Sequence, residues 1–479
     1  MNFPPSIPGR RPLSSTAAKC IFLFALTAAL ACAPTHRPEP LSARLSSPDR
    51  FRQARIAADL DGGVYVVAIE SGFPAGDRIF LTTSADHGES WHSAEPLHEP
   101  TLRPRRAVEI STGRRGSVYV VWLEEPRRIA FNRSLDGCQT WLPHEIGLDD
   151  AAGSALHPFD PQIASDDRGN VYVIWLDDRE GFDAFYANRS RDAGDTWLPN
   201  AIRITPLSLG TKSVPQLRCD DQGHVYVLWH EARDGQVGVF FIASNDFGET
   251  WDLQDTRLDD GRNARGTSLA LFEGRRLLAA WLEWGARVAL RACTSFDGGR
   301  SWEPLRQLSV ADRTTGTPSD PRTYAATHRH AGVAWQVPAS DGSERILVFH
   351  AADGGTRFEQ SIVERQRSEM SLLQPSRRTG DLSPFDADSD ANGNVYVVWA
   401  EAIFGPGSIL CERLSSAGGQ GLRPGMRASV AEIDHVLIES PQVCADDFGN
   451  VAILWNEGSR LVVASSPFFG DTGWRSTVF

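Results

Sequence analysis

The chain is short of basic charge. In 479 residues, Lys and Arg total 48 against 61 Asp and Glu, a net charge of −13, whereas a polyphosphate partner demands a basic face. Nucleic acid is therefore excluded as a partner. Lysine is nearly absent, with Lys19 and Lys212 standing against abundant arginine; this reads as base composition and carries no functional weight. Cysteine offers no framework. Beyond the leader the thiols are Cys138, Cys219, Cys293, Cys411 and Cys444, odd in number and scattered, so neither a disulfide scaffold nor a metal-ligand spacing emerges. The apolar run near the start is too short to span a bilayer comfortably. No cofactor or metal is expected. What the chain does have is 41% hydrophobic residues with 14 Trp, 42 Gly and 29 Pro, the composition of a large core cut by many turns rather than of a disordered chain.

Residues 1–31 contain no acid but hold Arg10, Arg11 and Lys19, followed by Ile21-Phe-Leu-Phe-Ala-Leu and Ala28-Ala-Leu-Ala-Cys32. A basic start, a short apolar centre and small residues before a break describe a cleaved secretory signal. Ala29-Leu30-Ala31-Cys32 resembles a bacterial lipobox, with Ala29 where that motif prefers Leu, and also reads as an ordinary Ala-x-Ala cleavage site. The Pro-rich stretch after Cys32 suits a tether between an anchor and a domain. The expected organisation is a signal peptide at 1–31, a tether at 32–50 and one domain at 51–479. Lipidation at Cys32 would anchor an exported lipoprotein at the cell envelope, and Ala33 in place of Asp favours the outer membrane by the sorting rule of such lipoproteins.

Self-similarity organises the rest. Gly116-Ser-Val-Tyr-Val-Val-Trp122 returns as runs ending at Trp175, Trp229, Trp399 and Trp455, with weaker copies ending at Ala68, Trp281 and Trp335. The period is about 55 residues, in the range where strands grouped in fours build propeller blades. In phase with it runs a second signature, Ser84-Ala-Asp86-His-Gly88-Glu-Ser-Trp91, repeated around Asp192, Asp246 and Asp297, with decayed copies elsewhere. In this pattern Asp and Ser tie down the amides of a tight turn, Gly supplies a positive φ and Trp folds back onto the blade. The reading is structural.

This second signature resembles the Asp box of the sialidase-like, BNR-repeat propeller family, and the likeness covers residues 51–479 at the level of the repeat. It implies an all-β propeller of eight four-stranded blades, with seven as the alternative. Within one unit, strand A is Pro161 to Ser165, B is Asn170 to Trp175, C is Ala184 to Arg189 and D lies near Ala201 to Thr205. The resemblance further implies that A strands line a central channel and that the D–A and B–C connections share its ligand face. Closure is expected from direct packing of blades one and eight.

Alternation along strand A places Arg55, Glu109, Gln162, Gln216, Ser268, Arg322, Asp386 and Gln442 toward the channel, with Arg218, Tyr324 and Asp388 one layer deeper. Two accounts stand side by side. Arg55 pairs with Glu109 and Arg322 with Asp386 around a water-filled pore, or the arginines converge on a site for an anion or a sugar acid. The resemblance adds a catalytic version: Arg55-Ile56-Ala57 falls where sialidases carry Arg-Ile-Pro, Asp77 stands in place of their acid/base, and Tyr324 with Glu109 would supply the nucleophile and its helper.

Other features read mostly as structure. The acids two residues after each B-strand Trp, among them Glu124, Asp177, Glu231 and Glu283, lie close to Arg179 and Arg233 and suggest repeated salt bridges. Asp386-Ala-Asp388-Ser-Asp390 looks like a calcium loop but lacks its late Glu and central Gly. Two departures from the repeat bear on recognition: Trp284 in a B–C loop, an indole able to stack on a sugar, and the long D–A insertion from Val363 to Ser383. The residues expected to bind ligand are thus Arg55, Arg218, Arg322, Asp386, Asp388 and Trp284. The function expected is a carbohydrate- or protein-binding module, with a glycan or an envelope protein as partner, in a monomer that meets the membrane only through its lipid. A sialidase-like exo-glycoside hydrolase and a scaffold for envelope assembly are the alternatives.

Overall fold

The computed structural model describes residues 51–479 apart from 74–75, 94–96, 98–103, 126–127, 150–157, 314–315, 327–329, 341–342, 353–354, 366–384, 402–406, 417–421, 434–440, 458–459, 468 and 470–472. The signal, the tether with Cys32 and most of the insertion from Val363 to Ser383 lie outside the described residues.

Eight four-stranded antiparallel sheets follow one another along the chain, each built from four consecutive strands. The protein is an eight-bladed β-propeller. Each blade runs A, B, C, D from axis to rim. The inner strands are Phe51–Ala58, Arg105–Thr112, Phe159–Ser165, Gln216–Cys219, Ala264–Phe272, Arg322–Ala326, Phe385–Ser389 and Gln442–Ala445. Each abuts the next, and the last abuts the first. In the third blade the strands are Phe159–Ser165, Val171–Asp177, Ala184–Ser190 and Ile202–Arg203, within two residues of the sequence reading at most ends.

The Val-Tyr-Val-Val-Trp runs form the B strands, which are buried on both faces because each sheet is packed between two others. Trp122, Trp175, Trp229, Trp281, Trp335, Trp399 and Trp455 are all 2% exposed or less. Residues of one B strand divide between two clusters: Val171, Val173 and Trp175 face the second blade, while Tyr172, Ile174 and Leu176 face the fourth. The apolar run needs no polar alternation because neither face meets water.

The Asp boxes form the C–D turns. Ser190 Oγ donates to Asp192 Oδ1 at 2.7 Å and accepts the Gly194 amide at 2.8 Å, while Asp192 Oδ1 accepts the Thr196 amide at 2.8 Å. Those bonds from Thr196 and Ser190 hold the Asp192 carboxyl down at about 2. The boxes at Asp86, Asp246 and Asp297, and the decayed one at Asp136, repeat this network. The box Trp packs on the preceding blade as well as on its own. Trp197 meets Phe131 edge-on at 4.8 Å, and Trp302 meets Phe241 at 5.1 Å. Gly194 makes the approach possible, since a Cβ there would lie 2.8 Å from the Phe131 ring and its φ is +85°. Each box therefore joins two blades.

Ring closure is direct, without strand exchange, because blades one and eight each keep four strands of their own. Gln442 Nε2 donates to Ala54 O at 2.7 Å, Ser465 Oγ to Gly88 O at 2.6 Å, and His87 Nδ1 lies 2.8 Å from Asp446 Oδ2. The Phe479 ring, 2% exposed, sits against Phe80 and Trp91 of the first blade.

Candidate functional site

In a propeller the sheet faces look at neighbouring blades, so alternate side chains of strand A point clockwise and anticlockwise and reach the channel only at its edge. This geometry decides which candidates are available. Arg55 of blade one and Glu109 of blade two form a forked pair at 2.8–3.1 Å. Burial disfavours the Arg55 charge, but the facing carboxylate outweighs it and holds the guanidinium above its usual range. Arg322 is exposed and makes no ion pair among the described residues. The expected Arg322–Asp386 bridge is thus not formed, although Arg322 is near enough to favour the Asp386 charge. Asp386 instead accepts the Val443 amide of blade eight at 3.2 Å.

Asp388 accepts the Ala445 amide at 2.9 Å, so both acids of the seventh blade are stitched to the eighth. Burial, opposed by that amide and reinforced by nearby Asp386 and Asp390, pushes the Asp388 carboxyl up to about 7. Arg218 differs from all of these. Its Nη1 donates to Leu217 O at 2.7 Å, and no carboxylate pairs with it among the described residues. Surrounding protein pulls its pKa below the usual guanidinium range, although the side chain is only part-buried.

The residues named for catalysis are engaged elsewhere. Tyr324 does not line the channel: it is 2% exposed, packed with Phe385, Ala387 and Trp399 between blades six and seven. Its hydroxyl stands over Gly332, where a Cβ would come within 2.2 Å. Alternation carried it toward the neighbouring blade, and the glycine left room for the ring. Asp77 Oδ2 accepts the Arg105 amide at 2.9 Å, and its carbonyl accepts Arg105 Nη1 at 3.0 Å. Glu109 is the partner of Arg55. Trp284 carries Arg265 and Arg313 over its ring, at 5.4 and 5.5 Å, rather than a bare face.

The acids after the B-strand Trp are buried and paired, as Glu124 with Arg105, Asp177 with Arg179 and Glu283 with Arg291. Asp390, from the calcium-like run, spends its oxygens on the amides of Asn392 and Asn394 and the hydroxyl of Tyr396. His330, at the start of the second strand of blade six, stacks on His350 at 5.3 Å.

Three features escaped the sequence reading. Lys212 is fully buried, with Nζ 3.1 Å from Glu231 Oε1 and 2.8 Å from Asp183 O, and it fastens the connection between blades three and four. Its rarity was the available signal. Positive φ at Gln53, Ala107, Asp160 and Gly266 marks the entry of four inner strands, with register breaks in each of these strands; these bulges re-aim side chains at the mouth. Finally, a cavity of about 650 Å³ opens on the A–B-turn end of the channel, opposite the D–A and B–C connections. Asp166, Asp167, Asp220, Asp221, Asp446 and Asp447 surround it against Arg114 and Arg275. Several of these acids cap the turns themselves, as Asp166 does for Arg168 and Asn170. The channel therefore carries open arginines within it and a carboxylate rim at one end.

A family model for the BNR repeat-like domain matches residues 63–366. The chain belongs to the BNR repeat-like domain family. No curated protein matches this BNR-repeat propeller in sequence. Among solved structures it is similar to a Hadza microbial sialidase at 14% identity and a TM-score of 0.39, over 60% of this chain and 63% of that one. It thus spans less than two thirds of that sialidase. It is also similar to a lectin from Burkholderia pseudomallei, at 11% identity and a TM-score of 0.47 over 90% of this chain and 98% of that one. A third is an ulvan lyase, a polysaccharide lyase, at 11% identity and 0.43 over 78% and 94%. At such identities the likeness is one of fold alone.

Proposed function

We propose that this propeller is a carbohydrate-binding module whose channel holds the carboxylate of an acidic glycan on Arg218 and Arg322. Arg218 carries the reading. A guanidinium crowded by protein without a counter-ion is destabilised by on the order of a few kcal/mol, which a bound anion would offset. Its planar fork suits a carboxylate better than a point charge does. Arg55 already has Glu109 and contributes by shaping the wall.

Binding without cleavage is the form favoured. Glycoside hydrolysis needs an acid and a nucleophile or base flanking one bond, and the three candidates for those roles are held by Arg105, by Arg55 and by the core between blades six and seven. Display at a bacterial cell envelope through a lipid on Cys32 completes the proposal and draws on the sequence alone.

The test is a glycan array followed by calorimetry. Acidic glycans are expected to bind and their neutral counterparts not, Arg218→Ala to lower affinity by about tenfold or more, and fluorogenic sialosides to remain uncleaved. Equal binding by Arg218→Ala would overturn the site, and multiple turnover would overturn the reading of a pure binder. Loss of radiolabelled lipid in Cys32→Ala checks the anchor.

A further inference from the structure

The ligand of the channel has more than one negative charge: we infer that Arg265 and Arg313, carried over the single indole of Trp284, form a second oxyanion subsite at the channel mouth. The inference rests on the acidic-glycan reading for the identity of the ligand, but its observations are separate.

Arg265 comes from the entry of the fifth inner strand and Arg313 from the chain just after the fifth outer strand, Arg306–Asp312. The bulge between Arg265 and Ser268, with Gly266 at φ +61°, turns Arg265 out of the strand and over the indole. Gly266 is required there, since a Cβ would meet the Asp320 carboxyl at 2.3 Å. Arg313 is fixed by Nη1 donating to Gly285 O at 3.2 Å. Both guanidiniums are exposed, and neither makes an ion pair among the described residues, Asp320 included.

Two arginines also share the Phe240 ring, but there each has a carboxylate, Arg233 with Glu231 and Asp255 and Arg257 with Asp259, whereas Arg265 and Arg313 have none among the described residues. Each cation gains modestly from an exposed aromatic face, and their mutual repulsion takes part of that back. The arrangement is relieved by an oxyanion that accepts from both forks while the indole supplies a firm base. Trp284 itself is packed against the core between blades five and six, so the platform is rigid.

The position suits a chain leaving the channel. Ser268, three residues beyond Arg265, meets Thr323 Oγ1 of blade six at 2.8 Å, and Thr323 adjoins Arg322. Arg265 thus stands on the order of 10 Å along the strand from the layer of Arg322, the length of a short oligosaccharide. A ligand with one acidic group occupies the channel arginines only. A polyanionic glycan, bearing uronate or sulfate groups on successive sugars, occupies both subsites.

The experiment compares wild type with the double variant Arg265→Gln, Arg313→Gln, using galacturonate monomer, an oligogalacturonate and inorganic sulfate as probes, by calorimetry at fixed ionic strength. In the wild type the oligomer is expected to bind at least tenfold more tightly than the monomer. The double variant loses that advantage and its sulfate binding while keeping its melting temperature and its affinity for the monomer. Identical responses of the two proteins to both oligomer and sulfate, including no response from either, would overturn the subsite. Arg218→Ala separates the two proposals: it weakens monomer binding by about tenfold or more if the channel site is right, and leaves sulfate binding at Arg265 and Arg313 intact if the second subsite is right on its own.

Discussion

Asp388 shows how far one side chain's environment departs from its composition. A carboxyl held at about 7, against 3.8 for the free group, binds more protons folded than unfolded between those values. Stability therefore falls as pH rises through that window, the reverse of the usual aspartate. The same titration acts on ligand. Below pH 7 the group is largely neutral; above it a negative charge appears beside Asp386, which itself lies near Arg322 and Arg55. Affinity for an acidic monosaccharide is expected to be several-fold higher at pH 6 than at pH 8, and Asp388→Asn to flatten the difference. Calorimetry at the two pH values checks this, and an unchanged pH profile in Asp388→Asn would remove Asp388 from the site. Lys212 makes the opposite point. A residue whose rarity reads as base composition is the cation that neutralises buried Glu231 together with Arg233.

Among the elements, the Asp box does more than turn the chain. Its hydrogen bonds fold the loop locally, while its Trp and Gly reach the preceding blade, so each box sets the spacing of two sheets. Trp197→Ala is expected to cost about 3 kcal/mol, at the lower edge of a buried aromatic truncation because the ring is half-buried. Urea unfolding measures the cost. Hydrogen exchange in the second blade's C strand, Arg128–Ser134, should rise with it. Protection lost only within the third blade would return the box to a purely local role. The B strands and boxes were legible because each repeats a fixed chemical demand at a fixed period. The bulges at Gln53, Ala107 and Asp160 were not, because Gln and Ala carry no preference for a positive φ and Asp too weak a one to mark a site.

At the scale of the whole molecule, the seam between blades one and eight is held by side chains and loop contacts alone. Phe479→Ala removes a buried ring from Phe80 and Trp91 and is expected to cost about 3 kcal/mol. Hydrogen exchange should then increase in the first and eighth blades ahead of the fourth, and a uniform increase would show that the seam is no weaker than any other interface. The sequence by itself determined the blade count, the strand order and the turn chemistry, since burial between sheets and hydrogen bonding within a turn are satisfied by neighbours in the chain. Only the tertiary structure decided which channel charges are spent and which are open: Arg55 meets Glu109 across 54 residues, Tyr324 is drawn into the core above Gly332, and Arg218 is left without a carboxylate partner among the described residues. Those outcomes depend on which way alternate side chains lean between adjoining blades, a choice made by packing across the ring and not by spacing along the chain.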